Sequence, residues 1–401
     1  MTQLSSRVLV LLLPVLLAVP APGRGVGAGE EKWRAAHDRL REDCEELASN
    51  LNRGRELLLE RAAGNDELLE RLESASLELR EAGYGVLPKI KQDAPLSPVE
   101  PQQQLYSMES LTTDFASEFR DAAGLVRHAA DREMELDGLV AEHERIRDRL
   151  RNLETHLGYH RYWQRAVLEN PLAFAARNKI IVRLRALESE LRGGADAAAI
   201  AAERGALVER LAPFRPTRGL ELAERDDGWR VLPVSVTTDI DDERFLAAFR
   251  QAVEAAFVDA AEPRALRFRI ELTFRRISPA ELYPGGPPAP GDPIDPQAHR
   301  ARFPKHSLIL TTGAASTHAW TGRWVTLGPE DLSRRTMAHE FAHLLGFDDA
   351  YLRGFDGELD DPFGVVLVEW TGLRDDLMGN VRGGRVTRGM IETLIEAYGS
   401  R

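Results

Sequence analysis

The stretch His339-Glu340-Phe341-Ala342-His343-Leu344-Leu345-Gly346-Phe347-Asp348-Asp349 constrains this chain more tightly than any other part of it. Histidines four residues apart lie on one face of a helix, so both imidazoles can reach a single zinc ion. Glu340 then stands beside that ion without having to ligate it, which is where a general base for a metal-activated water belongs. Gly346 permits the left-handed backbone that ends a helix and turns the chain sharply. Such a turn can swing an aspartate back as a third ligand. Asp348 and Asp349 are adjacent, and only spacing selects Asp349. The bland reading of the same residues is an amphipathic helix ended by glycine.

Taken together these residues resemble the metzincin zinc-binding signature HExxHxxGxxH/D, in the form with aspartate as third ligand found in snapalysin-type bacterial proteases. The resemblance implies one catalytic zinc on His339, His343 and Asp349, with Glu340 as the catalytic base. It also implies a methionine in a tight turn beneath the metal. Asp375-Asp376-Leu377-Met378-Gly379-Asn380 resembles that Met-turn, with Met378 as its methionine and Gly379 supplying turn chemistry. In the family, the edge strand before the zinc helix binds substrate in extended form through unpaired backbone groups. Trp324, Val325 and Thr326 are the residues expected to do so, unless that strand is an ordinary interior one. Tyr351, two residues past the third ligand, is a candidate to polarise the scissile carbonyl, or a structural tyrosine. Glu369 would matter if the site were thermolysin-like with a distant third ligand, but Asp349 would then lack a role.

The surrounding sequence predicts an α+β scaffold for this helix over residues 226–401. Val231, Val234, Val236 and Thr238 read as a strand, and Asp241-Asp242-Glu243 cap a helix carrying Phe245, Leu246, Phe249, Val253 and Phe257. Phe268, Ile270, Leu272 and Phe274 alternate with polar residues as a half-buried strand. A loop crowded with Pro and Gly runs from Pro279 to Pro304, followed by strands at His306 to Thr312 and Arg323 to Leu327. The zinc helix is expected to begin near Leu332, and a last helix capped by Thr387 carries Met390, Ile391, Leu394, Ile395 and Tyr398 on one face. A small mixed sheet, a zinc helix, a Met-turn and a C-terminal helix are the parts of a metzincin-like zinc protease domain. The acidic loop Asp356-Gly357-Glu358-Leu359-Asp360-Asp361 offers oxygen ligands to calcium, though without EF-hand spacing, or is simply a solvated loop.

Residues 29–222 differ in composition, being rich in Leu, Ala, Glu and Arg, and read as an all-α helical or coiled-coil region. Trp33, Leu40, Leu47, Leu51 and Leu58 mark one apolar stripe. Positions from Met108, Leu111 and Phe115 through Leu157 keep a heptad register that Glu118, Arg132 and His143 interrupt. Antiparallel packing or a self-associating coiled coil follows from that pattern. Further helices are predicted from Ala173 to Leu191 and from Ala197 to Leu211, where Pro213 and Pro216 end the helical region. His156 and His160, with Tyr159 and Trp163, read as helix surface or packing rather than a second metal site. The one cysteine, Cys44, excludes an intrachain disulfide, and its spacing from Leu40, Leu47 and Leu51 makes it a small core residue. A thiolate cap on the zinc is conceivable, but the flanking residues do not resemble a cysteine-switch propeptide.

Residues 1–28 read as a signal peptide: Arg7 precedes an apolar run from Val8 to Val19 and a cleavage site at Val26-Gly27-Ala28. That run is too short to cross a bilayer comfortably, and no later segment is long enough, so no stable membrane span is expected after cleavage; the alternative is an uncleaved anchor, since Arg7 is the only positive charge before the run. The net charge of −12 argues against nucleic acid as a partner. The expected protein is thus a secreted or periplasmic zinc endopeptidase acting on peptides or proteins. The alternative is a non-catalytic helical interaction or scaffold protein with a structural or vestigial zinc site, a role with no need of Glu340.

Overall fold

In the computed structural model, residues 28–61, 82–93, 110–130, 138, 141–150, 153, 169–356, 366–370, 375–381 and 383–399 are described. The signal segment before Ala28, the acidic loop beyond Asp356 and the group around His156 and His160 lie outside them. Strand β4 (Arg230–Thr238) anchors the sheet that supports the histidine helix. It pairs in parallel along its whole length with β5 (Phe268–Arg276), Arg230 facing Phe268 and Thr238 facing Arg276. Its other edge is shared between the short antiparallel β3 (Ala223–Glu224) and the parallel β6 (Leu308–Thr312). Every residue of β6 is buried, as expected of a parallel strand covered on both faces.

Beyond β6 the chain turns back before it goes on. β7 (His318–Trp320) lies outermost and antiparallel to β8 (Trp324–Leu327), and β8 is parallel to β6. The order across the sheet is therefore β5-β4-β6-β8-β7. The strand expected to be the free edge, Trp324 to Leu327, is hydrogen-bonded on both sides, and Val325 and Thr326 are fully buried. A hairpin of three-residue strand β7 covers it, so Trp324, Val325 and Thr326 have no unpaired backbone edge to offer a peptide; β7 has it.

One face of the sheet is packed by α5 (Glu243–Phe257) and α6 (Arg334–Leu344), and α7 (Arg388–Tyr398) joins the same core. Asp242 caps α5 by accepting the Phe245 N–H at 2.9 Å, a contact of the kind that stabilises a helix by about 1 kcal/mol. Phe341 of α6 sits edge-on to Phe249 and Phe257 of α5, with ring centroids 6.5 and 6.0 Å apart. Each such pair contributes roughly 0.5–1.5 kcal/mol beyond its area burial. The opposite face is covered by the Pro- and Gly-rich loop, through Leu282 and Phe303 against Ile309 and Trp324.

The described residues of the N-terminal region are mostly helical, with α1 (Ala28–Arg61), α2 (Phe115–Ala130), α3 (Pro171–Arg192) and α4 (Ala197–Leu211). Leu40 and Cys44 of α1 share a core with Ala122, Val126 and Ala129 of α2 and with Ile146, Leu150 and Leu153, so much of the heptad seam closes within one chain. Burial pushes the Cys44 thiol up to about 11, and its place in this helical core removes it from the histidines. The region is not wholly helical, however. Leu111, expected in the helix, lies in β2 (Ser110–Asp114), which pairs with β11 (Val366–Trp370) and through it with β10 (Leu352–Asp356). Ile90–Lys91, β1, runs parallel to β9 (Leu332–Ser333) just before α6. Apolar periodicity cannot reveal such pairing, because the partners lie hundreds of residues away. The architecture is α+β, and among the described residues no helix is long and apolar enough to cross a membrane.

Candidate metal centre

Ser333 caps α6 by accepting the Thr336 N–H at 3.1 Å, and Asp93 accepts the Arg335 N–H at 2.9 Å. From Met337 to Leu344 the helix is buried all round, including His339, Glu340 and His343. Burying three polar side chains within five residues is costly unless each is satisfied. The imidazoles are satisfied at one end only. His339 Nδ1 is 2.9 Å from the Leu377 carbonyl and His343 Nδ1 is 2.8 Å from the Phe347 carbonyl. A carbonyl can only accept, so both Nδ1 atoms carry hydrogen and each neutral ring keeps its Nε2 lone pair free.

Those two lone pairs converge on the residue that spacing selected. His339 Nε2 and His343 Nε2 lie 3.2 and 3.3 Å from the same oxygen, Asp349 Oδ1. Two unprotonated nitrogens and a carboxylate oxygen at these distances would repel one another, and while both rings are neutral Oδ1 has no hydrogen to accept. A proton offers partial relief. Burial alone would lower His343, but the hydrogen bond and charge of Asp349 outweigh it and push it up to about 9. Burial would raise Asp349, but the two histidines hold it well below the usual carboxylate range. A metal ion relieves all three atoms at once. Ligands bound at about 2.0–2.1 Å in a tetrahedron stand about 3.3 Å apart, which matches the spacing found. His339, His343 and Asp349 could therefore hold a metal, their ligand atoms all lying within 4.8 Å of one another.

The third ligand depends on the turn that follows the helix. Gly346 has φ +106°, and a Cβ there would stand 2.3 Å from the Arg215 carbonyl oxygen, so both backbone angle and space require glycine. Asp348 points elsewhere: it accepts a hydrogen bond from the Thr321 hydroxyl and faces Arg215 Nη2 at 3.5 Å. Glu340 stands against both histidines and Asp349, and its Oε2 is buried without a hydrogen-bond partner. Burial raises its carboxyl above the ordinary range against the opposing pull of the histidines. Glu369 pairs with Arg353 across β10 and β11, and its side chain lies outside the described set.

Met378 is buried in the same core, in a turn that Asp376 builds by accepting the N–H groups of Met378 at 2.8 Å and Gly379 at 3.1 Å. This turn holds the site at two points, since Leu377 supplies the carbonyl for His339 and Met378 supplies one for the Ala350 N–H at 3.0 Å. Tyr351 lays its ring nearly parallel to His339, 6.2 Å between centroids. Trp324, Val325 and Thr326 stand one strand in from the edge, and the exposed residues of the edge strand are His318 and Trp320. Sequence reading missed β7, although Thr321-Gly322 between two tryptophans is a hairpin signal. It also missed Thr321 and Arg215, which no local pattern joins to the histidines.

No protein-family model, curated protein or solved structure matches this chain. Its chemistry must accordingly be argued from the centre itself.

Proposed function

We propose that this chain is a secreted or periplasmic zinc-dependent endopeptidase of metzincin type. The observation that carries the reading is the convergence of His339 Nε2, His343 Nε2 and Asp349 Oδ1 beside a buried glutamate. A purely structural metal site is closed by four protein ligands and has no use for such a carboxylate, whereas three ligands and a base are what hydrolysis needs. Zinc held by these residues would supply Lewis acidity toward a peptide carbonyl and make a water easier to deprotonate. Glu340 would take up a proton from water and give it to the leaving amine.

The rest of the site supports the same reading. The free edge of β7 can add an extended peptide as another strand, and its turn is fastened to the metal helix by Gly322 N–H donating to the His343 carbonyl at 2.8 Å. The turn that Asp376 builds at Met378 lends its Leu377 carbonyl to His339, and Tyr351, stacked on His339, is our candidate to polarise a carbonyl. Calcium at the acidic loop stays a proposal on composition alone.

The experiment is zinc stoichiometry on the purified chain, with a casein or peptide-library digest on the same samples. Wild type should hold one zinc and cleave, and Glu340→Gln should hold zinc and not cleave. Undiminished cleavage by Glu340→Gln would sink the mechanism. Zinc without cleavage in wild type would point to latency or narrow specificity, and a chain that takes no zinc would favour the scaffold reading instead.

A further inference from the structure

Asp348, the carboxylate that does not ligate, is built into the centre from behind. Its Oδ1 accepts the Thr321 hydroxyl hydrogen and its Oδ2 faces Arg215. Thr321 belongs to the turn between β7 and β8, whose next residue, Gly322, is hydrogen-bonded to the His343 carbonyl. Arg215 in turn donates its backbone N–H to the Gly346 carbonyl at 2.9 Å. The junction is also full. A Cβ on Gly322 would stand 3.0 Å from Thr217 Oγ1, and that hydroxyl donates to the Leu344 carbonyl at 2.7 Å. Three segments, the edge-hairpin turn, the end of α6 and the 214–217 linker, are thus locked together around the residue preceding the third ligand.

We propose that Asp348 is a positioning residue which, with Thr321 and Arg215, holds the turn that aims Asp349 at the histidines and ties that turn to the end of β7. The inference rests on the metal reading above. It follows from how the three ligands are carried: the histidines are 2 % and 8 % exposed on a buried helix, whereas Asp349 is 37 % exposed on a turn and needs outside support. Thr321 is the stronger partner. Arg215 is 65 % exposed, and an ion pair that open to water adds little. One consequence is that the linker out of the helical region takes part in the centre.

The test is zinc affinity of the full chain by competition with a chromophoric chelator, beside the melting temperature of the metal-free chain. Asp348→Ala and Thr321→Val should each weaken zinc about 10-fold or more, the range for lost outer-sphere partners, while the metal-free melt barely moves. Asp348→Asn, which keeps the acceptor, and Thr321→Ser, which keeps the hydroxyl, should restore most of the affinity, and Arg215→Ala should cost less than either loss. Unchanged affinity in both Asp348→Ala and Thr321→Val would overturn the proposal and leave the metal site standing. Zinc kept by Asp349→Ala but lost by Asp348→Ala would make Asp348 the ligand and overturn it as well. A wild-type chain that takes no zinc overturns the metal reading, and this inference with it.

Discussion

Among the described residues of the α+β part of the chain, two groups pair a buried histidine with an aspartate, and where their protons go separates them. His299 Nε2 lies 3.1 Å from Asp239, with side chains 1 % and 3 % exposed. The Thr311 hydroxyl donates to Asp239 at 2.7 Å and lies 2.7 Å from His299 Nε2, while the Tyr283 hydroxyl is 2.5 Å from Nδ1. Every group has a partner: Tyr283 donates to Nδ1, the Nε2 hydrogen lies between Thr311 Oγ1 and Asp239 Oδ2, and Thr311 donates to Asp239 Oδ1. At the other group two carbonyls take the Nδ1 hydrogens, and two nitrogens and an oxygen are left facing one another. A histidine beside an aspartate is therefore not the signal for a metal. The signal is a histidine whose far nitrogen is already spoken for by a carbonyl.

The contrast breaks most visibly in metal affinity. His343→Ala should weaken zinc binding by well over the roughly 100-fold that loss of an outer partner can cost. His299→Ala should leave zinc affinity where it was. Chelator competition on both variants checks this, and similar losses in the two would dissolve the distinction.

Stability should show the reverse pattern. His299→Ala leaves the Asp239 carboxylate buried with one partner fewer and strands the Tyr283 hydroxyl, a change that should cost about 3 kcal/mol. Denaturant unfolding should find the same loss with zinc present and with zinc removed. A loss that appears only after metal removal would mean that His299 acts through the metal centre.

The difference between these groups also marks what could be read from the sequence. His339, Glu340 and His343 were legible because helix geometry fixes them within five residues, and Asp349 because a glycine fixes the turn that carries it. β4, α5, β5 and α7 were legible for the same reason, since each carries a local period or a capping residue. The Asp239–His299–Thr311–Tyr283 network was not, because it is assembled from separate segments that no pattern connects. β7 was missed because three residues hold too little alternation to register, and with it the edge was assigned one strand too far in. β2 was read as helix because Leu111 fits a heptad as well as it fits a strand. Arg215 and Thr321 meet Asp348 only through tertiary contact.

The smallest effect gives the sharpest comparison. Tyr283→Phe keeps the ring that stacks against His299 and underlies Arg302, whose guanidinium lies 4.4 Å from its centroid, so it removes one hydroxyl and little else. His299 Nδ1 then becomes a buried acceptor with its donor gone, and switching tautomer would only exchange this for a donor without an acceptor while stripping Thr311 of its hydrogen. The expected loss is about 1–2 kcal/mol by urea unfolding, the cost of one unsatisfied buried group. Zinc affinity should stay within about 3-fold of wild type, because the ligands hang from the Leu377 and Phe347 carbonyls rather than from this network. A larger shift in zinc affinity would couple the two groups through the sheet between them and make the closed network a support of the metal centre rather than a separate fastening of the loop.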